Sequence, residues 1–452
     1  MRLVRAFGLF AGVGLLTGCA SASGAGQNAP LKPESVSWAM YQHSPDRNAV
    51  FGQYAIPKDW SYDAKANVNS GMALVGNTLL FTTFSHQLVA LDVRSGRELW
   101  QAPVTNIAMS TPIVAGNTVF IGTGANGMLH RNLMQKIQFR GKDVWGVPDG
   151  DEVAAFDLRT GAPRWTYHTV GEDMPSAVYD GGRIIFANGD WHAYALRADN
   201  GAQIWSTDVG GASTMASAVT AGKAVIVATC ASVTDTESIA LDPSSGKILW
   251  RSQFGNCDAA PAYANGKVFV SDVLPGDSSL QKITSVAALN ANTGKPVWTY
   301  RAAAQGLWSI VGSDEQAIAG TYADGTYYQP AEMDDQLLAF DADTGKVRWR
   351  FHTSGPAKMS PVVMNGRLYI GDTAGMFYTL NARNGDLLEI REFKKPFSTS
   401  PPVVAGNKIL VVNGTTVNAI PLTGRPAIPE RVGWGITTEG RQMNGVAAVN
   451  NQ

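Results

Sequence analysis

Residues 91–100 read LDVRSGRELW, and this phrase recurs along the chain. Each copy begins with an apolar residue, and the second residue is usually Asp or Asn. A Gly usually stands four positions after that second residue, and most copies end in Trp. Copies that keep the Trp begin at Phe156, Leu196, Leu241, Leu289 and Phe340. Two weaker copies, Leu380–Gly385 and Ile420–Gly424, lack the Trp. From Gly96 to Gly424 there are 328 residues in seven intervals, about 47 residues per unit. That period is typical of four-stranded propeller blades.

Each unit also carries a second hairpin pattern upstream, with apolar residues on both sides of a Gly-containing turn, as in Ile113–Phe120 and Val362–Tyr369. In the 91–100 phrase, Asp accepts backbone N–H bonds of its own turn and Gly takes the positive φ angle. We therefore predict an all-β fold, an eight-bladed β-propeller of four-stranded antiparallel blades. An open β-solenoid is the alternative.

The terminal tryptophans offer large apolar surfaces, which we predict to be buried between neighbouring blades. These are Trp60, Trp100, Trp165, Trp205, Trp250, Trp298 and Trp349.

The eighth unit has no Trp at the expected place, whereas Trp60 precedes Trp100 by 40 residues, a spacing also found between Trp165 and Trp205. The segment Tyr54–Trp60 is therefore predicted to supply the outer strand of the last blade and to close the ring. The tail after Pro429, with Trp434, is the alternative donor. The expected organisation is a propeller over 36–428 and a C-terminal tail over 429–452.

Composition narrows the function classes. The chain has 452 residues and a formal charge of −1, from 36 Lys plus Arg and 37 Asp plus Glu. This balance argues against a nucleic-acid-binding surface, which normally carries an excess of Lys and Arg. An apolar fraction of 45% supports a large core and argues against wholesale disorder.

The first residues are predicted to be a targeting signal rather than part of the folded domain. Arg2 and Arg5 precede an apolar run, and Leu16-Thr17-Gly18-Cys19 resembles a bacterial lipobox. The resemblance implies a signal peptide over 1–18, lipidation of Cys19, a flexible tether over 19–35 and a place on the periplasmic face of the outer membrane. An ordinary secretory signal and an apolar N-terminal helix are the alternatives.

Two cysteines remain, Cys230 and Cys257, in a compartment that would permit disulfides. Their spacing allows a bridge between neighbouring strands or two buried thiols, and both possibilities stay open at this stage.

The repeated phrase resembles the PQQ-type propeller repeat, which quinoprotein dehydrogenases share with BamB-like lipoproteins of outer-membrane assembly. The resemblance covers about residues 60–424 and is specific for the fold, because its motif residues form turns and packing contacts. Quinoprotein alcohol dehydrogenases add adjacent cysteines against the quinone and a Ca²⁺ site. This chain has no adjacent cysteines. The resemblance is therefore stronger to the BamB-like lipoproteins.

Three enlarged segments indicate which face of the predicted propeller is functional. They are Ala125–Asp151, Ser271–Thr284 and Tyr322–Asp335. We interpret all three as connections between the second and third strands of a blade, which lie on the face of the disc opposite the Asp-x-x-x-Gly turns. Long loops held by a rigid scaffold are usually functional. Aromatic and Arg residues suit protein contacts, so the candidate partner face consists of Arg131, Arg140, Trp145, Tyr322, Tyr327 and Tyr328. Capping of the central channel is the alternative role.

Catalytic signals are weak. Glu332, Asp334 and Asp335 could bind Ca²⁺, although neighbouring carboxylates on a loop are usually only solvated. Asp173, Asp235, Glu237 and Asp258 are candidates for the channel mouth. We predict no catalytic residues, no metal and no cofactor. The expected function is a protein-binding scaffold for envelope or outer-membrane assembly proteins; the alternative is a dehydrogenase using PQQ and Ca²⁺.

Overall fold

The computed structural model describes residues 37–38, 41–45, 48–51, 55–124, 128–130, 135–137, 151–232, 235–275, 282–301, 319–331, 335–422, 435–436 and 442–443. Eight four-stranded antiparallel blades form a β-propeller, as the repeat predicts. The first strands of neighbouring blades contact one another around a central channel, and the fourth strands form the rim.

Blades 1 to 4 consist, from the hub outwards, of β4 (Ala73–Val75), β5 (Thr78–Thr83), β6 (Gln87–Asp92) and β7 (Glu98–Pro103); β8 (Ile113–Ala115), β9 (Thr118–Thr123), β12 (Glu152–Asp157) and β13 (Pro163–His168); β14 (Val178–Asp180), β15 (Arg183–Ala187), β16 (His192–Arg197) and β17 (Gln203–Asp208); and β18 (Val219–Ala221), β19 (Ala224–Ser232), β20 (Asp235–Leu241) and β21 (Ile248–Ser252).

Blades 5 to 8 consist of β22 (Ala262–Ala264), β23 (Lys267–Pro275), β24 (Lys282–Asn290) and β25 (Pro296–Arg301); β26 (Thr321–Ala323), β27 (Thr326–Ala331), β28 (Gln336–Asp341) and β29 (Val347–His352); β30 (Val362–Met364), β31 (Arg367–Gly371), β32 (Met376–Asn381) and β33 (Leu387–Glu392); and β34 (Val403–Ala405), β35 (Lys408–Asn413), β36 (Thr416–Pro421) and β3 (Trp60–Asp63). The remaining strands are β1 (Ser37–Trp38), β2 (Val50–Phe51), β10 (Met128–His130), β11 (Gln135–Ile137), β37 (Gly435–Ile436) and β38 (Gln442–Met443). Among the described residues there is no helix with the length and hydropathy of a membrane span.

The core lies between the blades and is built from the second and third strands, which are apolar on both sides. Phe81, Phe120, Phe186 and Phe269 occupy second strands and are at most 2% exposed. Sheets buried on both faces read as continuous apolar runs, which explains the weak alternation of these strands.

Each predicted tryptophan packs on the turn of the next blade. The indole N–H of Trp100 donates to the carbonyl of Leu158 at 3.1 Å, and that of Trp250 donates to Ala291 at 2.9 Å. The same contact recurs from Trp60, Trp165, Trp205, Trp298 and Trp349 to Val93, Ala198, Pro243, Ala342 and Ala382. Blade 7 has Glu389 at the equivalent position, opposite Thr379, where it pairs with Arg391 at 2.6 Å. Seven of the eight interfaces therefore contain a packed indole, buried at Trp205, Trp298 and Trp349 and half-buried at the other four.

The N-terminal segment closes the ring. Trp60 to Asp63 pair antiparallel with Ala419 to Thr416, so β3 is the outer strand of blade 8. The donor is the segment that the Trp spacing predicts, but the strand begins at Trp60 instead of running over Tyr54–Trp60, and Tyr54 lies outside the described residues. The tail does not take this position: β37 and β38 pair with each other.

The two sides of the disc differ in their connections. The turn face carries the turns between first and second strands and between third and fourth strands. The mouth face carries the links between second and third strands and those from each fourth strand to the next blade. Each first strand runs from the mouth face to the turn face.

A segment that the sequence analysis did not place there enters the central channel; we call residues 37–51 the hub hairpin. Ser37 pairs with Ala115 and Trp38 with Val114, antiparallel to β8, so the chain enters from the turn face and rises toward the mouth. It reverses at Gln42 and His43, whose φ angles are 56° and 70°.

The second half of the hub hairpin returns to the turn face. The N–H of Tyr263 donates to the carbonyl of Pro45 at 2.6 Å. Asn48 bonds both the N–H and the carbonyl of Val363, each at 2.8 Å. Val50 then pairs with Val404 in parallel. The hairpin therefore contacts blades 2, 5, 7 and 8 from inside the ring.

Candidate functional site

The mouth of the central channel is built from one equivalent position in successive blades. The residue four positions before each first strand lines the same cavity in seven of the eight connections, namely Asn69, Met109, Met174, Met215, Asp258, Lys358 and Thr399. The eighth equivalent, residue 317, lies outside the described residues. The cavity contains about 540 Å³ of space free of protein atoms, part of it open to solvent, and Tyr41 of the hub hairpin also lines it.

The lining is divided into two arcs. Met109, Met174 and Met215 come from three consecutive connections and are half-buried. Asp258 and Lys358 lie on the other arc with polar neighbours. Methionine is flexible and polarizable, so an arc of three adapts to apolar groups of different shapes. The mouth can therefore hold an apolar group on one side and a polar or charged one on the other.

A disulfide fixes the connection that carries Asp258. Cys230, near the end of β19, is bonded to Cys257, with their Cα atoms 5.3 Å apart. The bridge is therefore formed, and the alternative of two free thiols is wrong. The Cys257 carbonyl accepts from the N–H groups of Thr214, Met215 and Ala216 at 3.1, 2.8 and 2.7 Å. The disulfide thus holds two neighbouring connections together at the mouth.

The Asp258 side chain is oriented by its surroundings. Its carboxylate accepts a hydrogen bond from the Thr214 hydroxyl. Its own N–H donates to the Asn256 side chain at 2.8 Å. Of the four carboxylates predicted for the mouth, Asp258 is the one that lines the cavity. Glu237 pairs with Arg251 at 2.5 Å on the outer strands, and Asp235 begins β20.

Asp173 precedes Met174 but points into the protein. Its carboxyl accepts from the Asn188 amide at 3.1 Å and from the Thr169 hydroxyl. Burial raises the pKa of Asp173 well above its usual range, and the neighbouring carboxylates of Asp151 and Asp190 raise it further. This buried acid group lies close to Asp151, the residue before β12. It is part of the support of the mouth rather than its lining.

The described donor set does not fit a Ca²⁺-quinone site. Ca²⁺ takes six to eight oxygen ligands, several of them carboxylates. Asp258 is the single carboxylate among the described residues that line the mouth. Within the described ranges, no group of three or more His, Cys, Asp or Glu is arranged to hold a metal ion.

The structure corrects part of the predicted partner face. Tyr327 and Tyr328 lie on β27 and are 1% and 2% exposed, so they cannot contact a partner. Tyr322 lies on β26, where its hydroxyl accepts from the Asn265 amide at 2.6 Å, beside the turn face. The described part of Tyr322–Asp335 is mainly the regular hairpin of β26 and β27, the first and second strands of blade 6, so it is not an enlarged connection between second and third strands. Its Asp-Gly turn and polar residues led to its interpretation as a loop.

The other members of the predicted face are Arg131, Arg140 and Trp145, which lie outside the described residues, as does Cys19. Residues 125–150 do connect β9 to β12, and they include a short hairpin in which Met128–His130 pairs with Gln135–Ile137. The segment Ser271–Thr284 is largely an extension of β23 and β24, which pair from Lys267–Asn290 to Pro275–Lys282.

Sequence reasoning also missed a long connection. Nineteen residues, 302–320, separate β25 from β26, whereas the other blade-to-blade links have nine or ten. The signal was available: Trp298 and Trp349 are 51 residues apart, against 48 for Trp250 and Trp298. The sequence analysis places the extra residues of this unit in Tyr322–Asp335, whereas the long connection precedes β26. This connection also belongs to the mouth face.

Comparison with known families agrees with this architecture. The family described as outer membrane protein assembly factor BamB matches four overlapping segments, residues 57–219, 149–258, 194–323 and 235–434. The chain belongs to this family. The match covers the propeller and includes every connection that lines the mouth.

Two relatives of this chain have names that describe different roles. Tetrathionate hydrolase of Acidithiobacillus ferrooxidans is 27% identical over 350 residues, 74% of this chain and 68% of that protein. The outer membrane protein assembly factor BamB of Bordetella pertussis is 21% identical, over 83% of this chain and 91% of its own.

Solved structures share the fold. BamB from Moraxella catarrhalis superposes with a TM-score of 0.57 at 16% identity, covering 81% of this chain and 99% of its own. The quinohemoprotein alcohol dehydrogenase of Comamonas testosteroni gives 0.63 at 14% identity, covering 88% and 82%. At these identities the likeness concerns architecture alone.

Proposed function

We propose that this protein is a lipid-anchored scaffold of the periplasm that binds partner proteins of outer-membrane or envelope protein assembly through its mouth face. The observation that carries the proposal is the mouth itself, in which three methionines face an open cavity whose donor set does not fit the quinone cofactor. Family membership supports the same reading. Cys19 would carry the anchor.

The mouth has the properties of an adaptable protein-binding surface. Met109, Met174 and Met215 are half-buried without being closed off from solvent. Such side chains can accommodate an apolar anchor residue of a partner, and the hub hairpin provides a floor through Tyr41. The rigid ring below keeps the connections in register.

The experiment is photo-crosslinking in the native host, with a crosslinking amino acid at Met109 or Met215. We expect adducts with envelope assembly proteins, and deletion of the gene should lower the outer-membrane content of β-barrel proteins. With the crosslinking amino acid at Met109, the added substitutions Met174→Gln and Met215→Gln should remove the adducts. The matched control Met364→Gln changes a methionine of β30 that does not line the mouth. A normal outer membrane in the deletion strain would contradict the proposal.

A second candidate function rests on the similarity to tetrathionate hydrolase together with the charged arc of the mouth. Lys358 would attract a dianion, and Asp258, held by Thr214, would be the candidate acid–base group. Purified protein incubated with tetrathionate would then consume it, and Asp258→Asn would abolish the reaction. Unchanged tetrathionate leaves the scaffold as the function.

The quinoprotein alternative is tested by adding PQQ and Ca²⁺ to the purified protein. We expect no stoichiometric quinone absorbance and no Ca²⁺-dependent dye reduction, because Asp258 has no neighbouring carboxylates in the described lining to complete a Ca²⁺ site.

A further inference from the structure

We propose that the turn face of the propeller lies on an anionic phospholipid surface, so that the mouth face is turned away from the membrane. Two independent observations carry this inference: the face from which the N-terminal segment emerges and the distribution of charge between the two faces. It rests on the proposed function in one respect, the lipid anchor at Cys19.

The path of the hub hairpin determines where the N-terminal segment leaves the disc. Ser37 lies opposite Ala115, at the turn-face end of β8, and Trp38 lies opposite Val114, one step closer to the mouth. Everything before Ser37 therefore starts from the turn face. Between Cys19 and Ser37 there are the 17 residues 20–36. A flexible chain of that length spans about 20–25 Å, so an anchor at Cys19 would keep this face close to the bilayer.

Charge is distributed unequally between the faces. We counted the eight first-to-second and seven third-to-fourth turns, each from the last residue of one strand to the second residue of the next. These turns hold fifteen Lys and Arg and ten Asp and Glu, a net charge of +5. The whole chain has −1. The described residues of the mouth-face links, counted in the same way, include seven Lys and Arg and twelve Asp and Glu, a net charge of −5.

Burial does not remove the asymmetry. Asp173, Asp190 and Asp372 of the mouth face have pKa values raised by burial. Without all three, the described links still have a net charge of −2, against +5 on the turn face. Many acids of the turn face, by contrast, are turned into their own turns. Asp242 accepts from the N–H groups of Ser244 and Ser245, both at 2.9 Å.

Three cations of the turn face project outward, whereas others, such as Arg164 and Arg348, pair with an acid of their own turn. Lys247, Lys295 and Lys346 follow the turn glycine in three adjacent blades, and all three are exposed. They form one edge of the turn face on blades 4 to 6. A Lys or Arg close to an anionic lipid surface contributes to binding, and the contributions of several accumulate. The positive charge of the turn face and the exit of the N-terminal segment from the same face therefore both favour an anionic phospholipid surface.

The test uses the whole chain as the cell processes it, added to vesicles of phosphatidylcholine alone or with about one third phosphatidylglycerol. We expect phosphatidylglycerol to raise the apparent membrane affinity at least about tenfold, and high salt to remove the gain. The variant Lys247→Glu, Lys295→Glu, Lys346→Glu should lose it. The matched control Lys65→Glu, Lys394→Glu, Lys395→Glu changes three exposed lysines of the mouth face and should keep it.

Orientation is measured with a fluorophore on Ser244→Cys of the turn face or Asn67→Cys of the mouth face, with quenchers on the lipid headgroups. The Ser244 label should be quenched and the Asn67 label should not. Equal affinity for both vesicles, equal loss in both triple variants, or quenching at Asn67 would overturn the inference. If the Glu variant does not fold, the salt dependence of the wild type decides. Crosslinking to envelope proteins is measured without these vesicles, so the two proposals can fail separately.

Discussion

Glycines and tryptophans form pairs across the blade interfaces. Gly294 has a φ of +68°, and a Cβ added there would lie 2.5 Å from Trp250 Cε3. The same arrangement joins Gly96 to Trp60 across the closure. The glycine is thus required twice, for its backbone conformation and for the space taken by the indole.

The substitution Gly294→Ala should therefore destabilise the protein by roughly 2–4 kcal/mol, because strain and a displaced Trp250 add together. Urea unfolding measures this loss. The control is Gly266→Ala, whose φ is +73° but whose Cβ would meet nothing within 4 Å. It should cost only about 1 kcal/mol. Equal losses in the two variants would mean that the indole contact is unimportant.

Asp173 predicts a pH dependence of stability. Its pKa is raised in the folded state, so the folded protein holds the proton more tightly than the unfolded chain does. Its contribution to stability therefore falls as the pH rises above about 4 toward the folded pKa. The variant Asp173→Asn should be more stable than wild type at pH 7, and the difference should disappear near pH 4. Calorimetry at both values checks this.

Asp341 provides the control of opposite sign. Hydrogen bonds from Arg348 and Thr344 lower its pKa to about 2. Its favourable contribution is present above pH 4 and is lost as the pH falls toward 2. Asp341→Asn should thus be less stable than wild type at neutral pH, with the difference vanishing in acid. The same sign in both variants would contradict this assignment of the two carboxyls.

Among the elements, the connection between blades 4 and 5 is held by a disulfide and by hydrogen bonds to its neighbour. The Cys230–Cys257 bridge encloses 27 residue steps, and the Cys257 carbonyl binds three N–H groups of the preceding connection. Stability and the shape of the mouth therefore depend on the same covalent bond.

Replacing both cysteines by Ser should lower the free energy of unfolding by about 3–4 kcal/mol, from the loop entropy released in the unfolded chain. Melting under reducing and oxidising conditions measures it: wild type should respond to reductant and the double variant should not. Mouth-face crosslinking from Met215 should weaken in the same variant. A reductant effect that persists without the cysteines would contradict the account.

Over the whole molecule, stability depends on closure by an element far away in sequence. The outer strand of blade 8 comes from residues 60–63, and the hub hairpin contacts four blades from inside. Removing residues 36–62 therefore takes away both the last strand and the channel filling, which should abolish a single cooperative transition. Circular dichroism during heating detects it. Deleting residues 444–452, which follow the last described strand, should leave the transition unchanged.

The repeat, the number of blades, the turns and the closing segment can all be read from the amino-acid sequence. Those features follow from local rules: a glycine at a positive φ, an aspartate that caps its own turn and an indole that needs a partner. Such signals recur at a fixed period and are therefore readable from the chain. This is why Trp60 was correctly paired with the eighth unit.

The lining of the mouth, the path of the hub hairpin and the burial of the two tyrosines of β27 become visible only in the folded chain. Met109, Met174, Met215 and Asp258 are unrelated in local pattern and meet because the ring brings equivalent positions of different blades to one opening. Tyr327 and Tyr328 read as loop residues but lie on β27, the second strand of blade 6. They are buried there because Tyr327 stacks on Phe269 and Tyr328 packs against Trp349, with ring centroids 4.6 and 5.8 Å apart. Convergence of distant segments depends on closure of the whole ring, which no local stretch of sequence encodes.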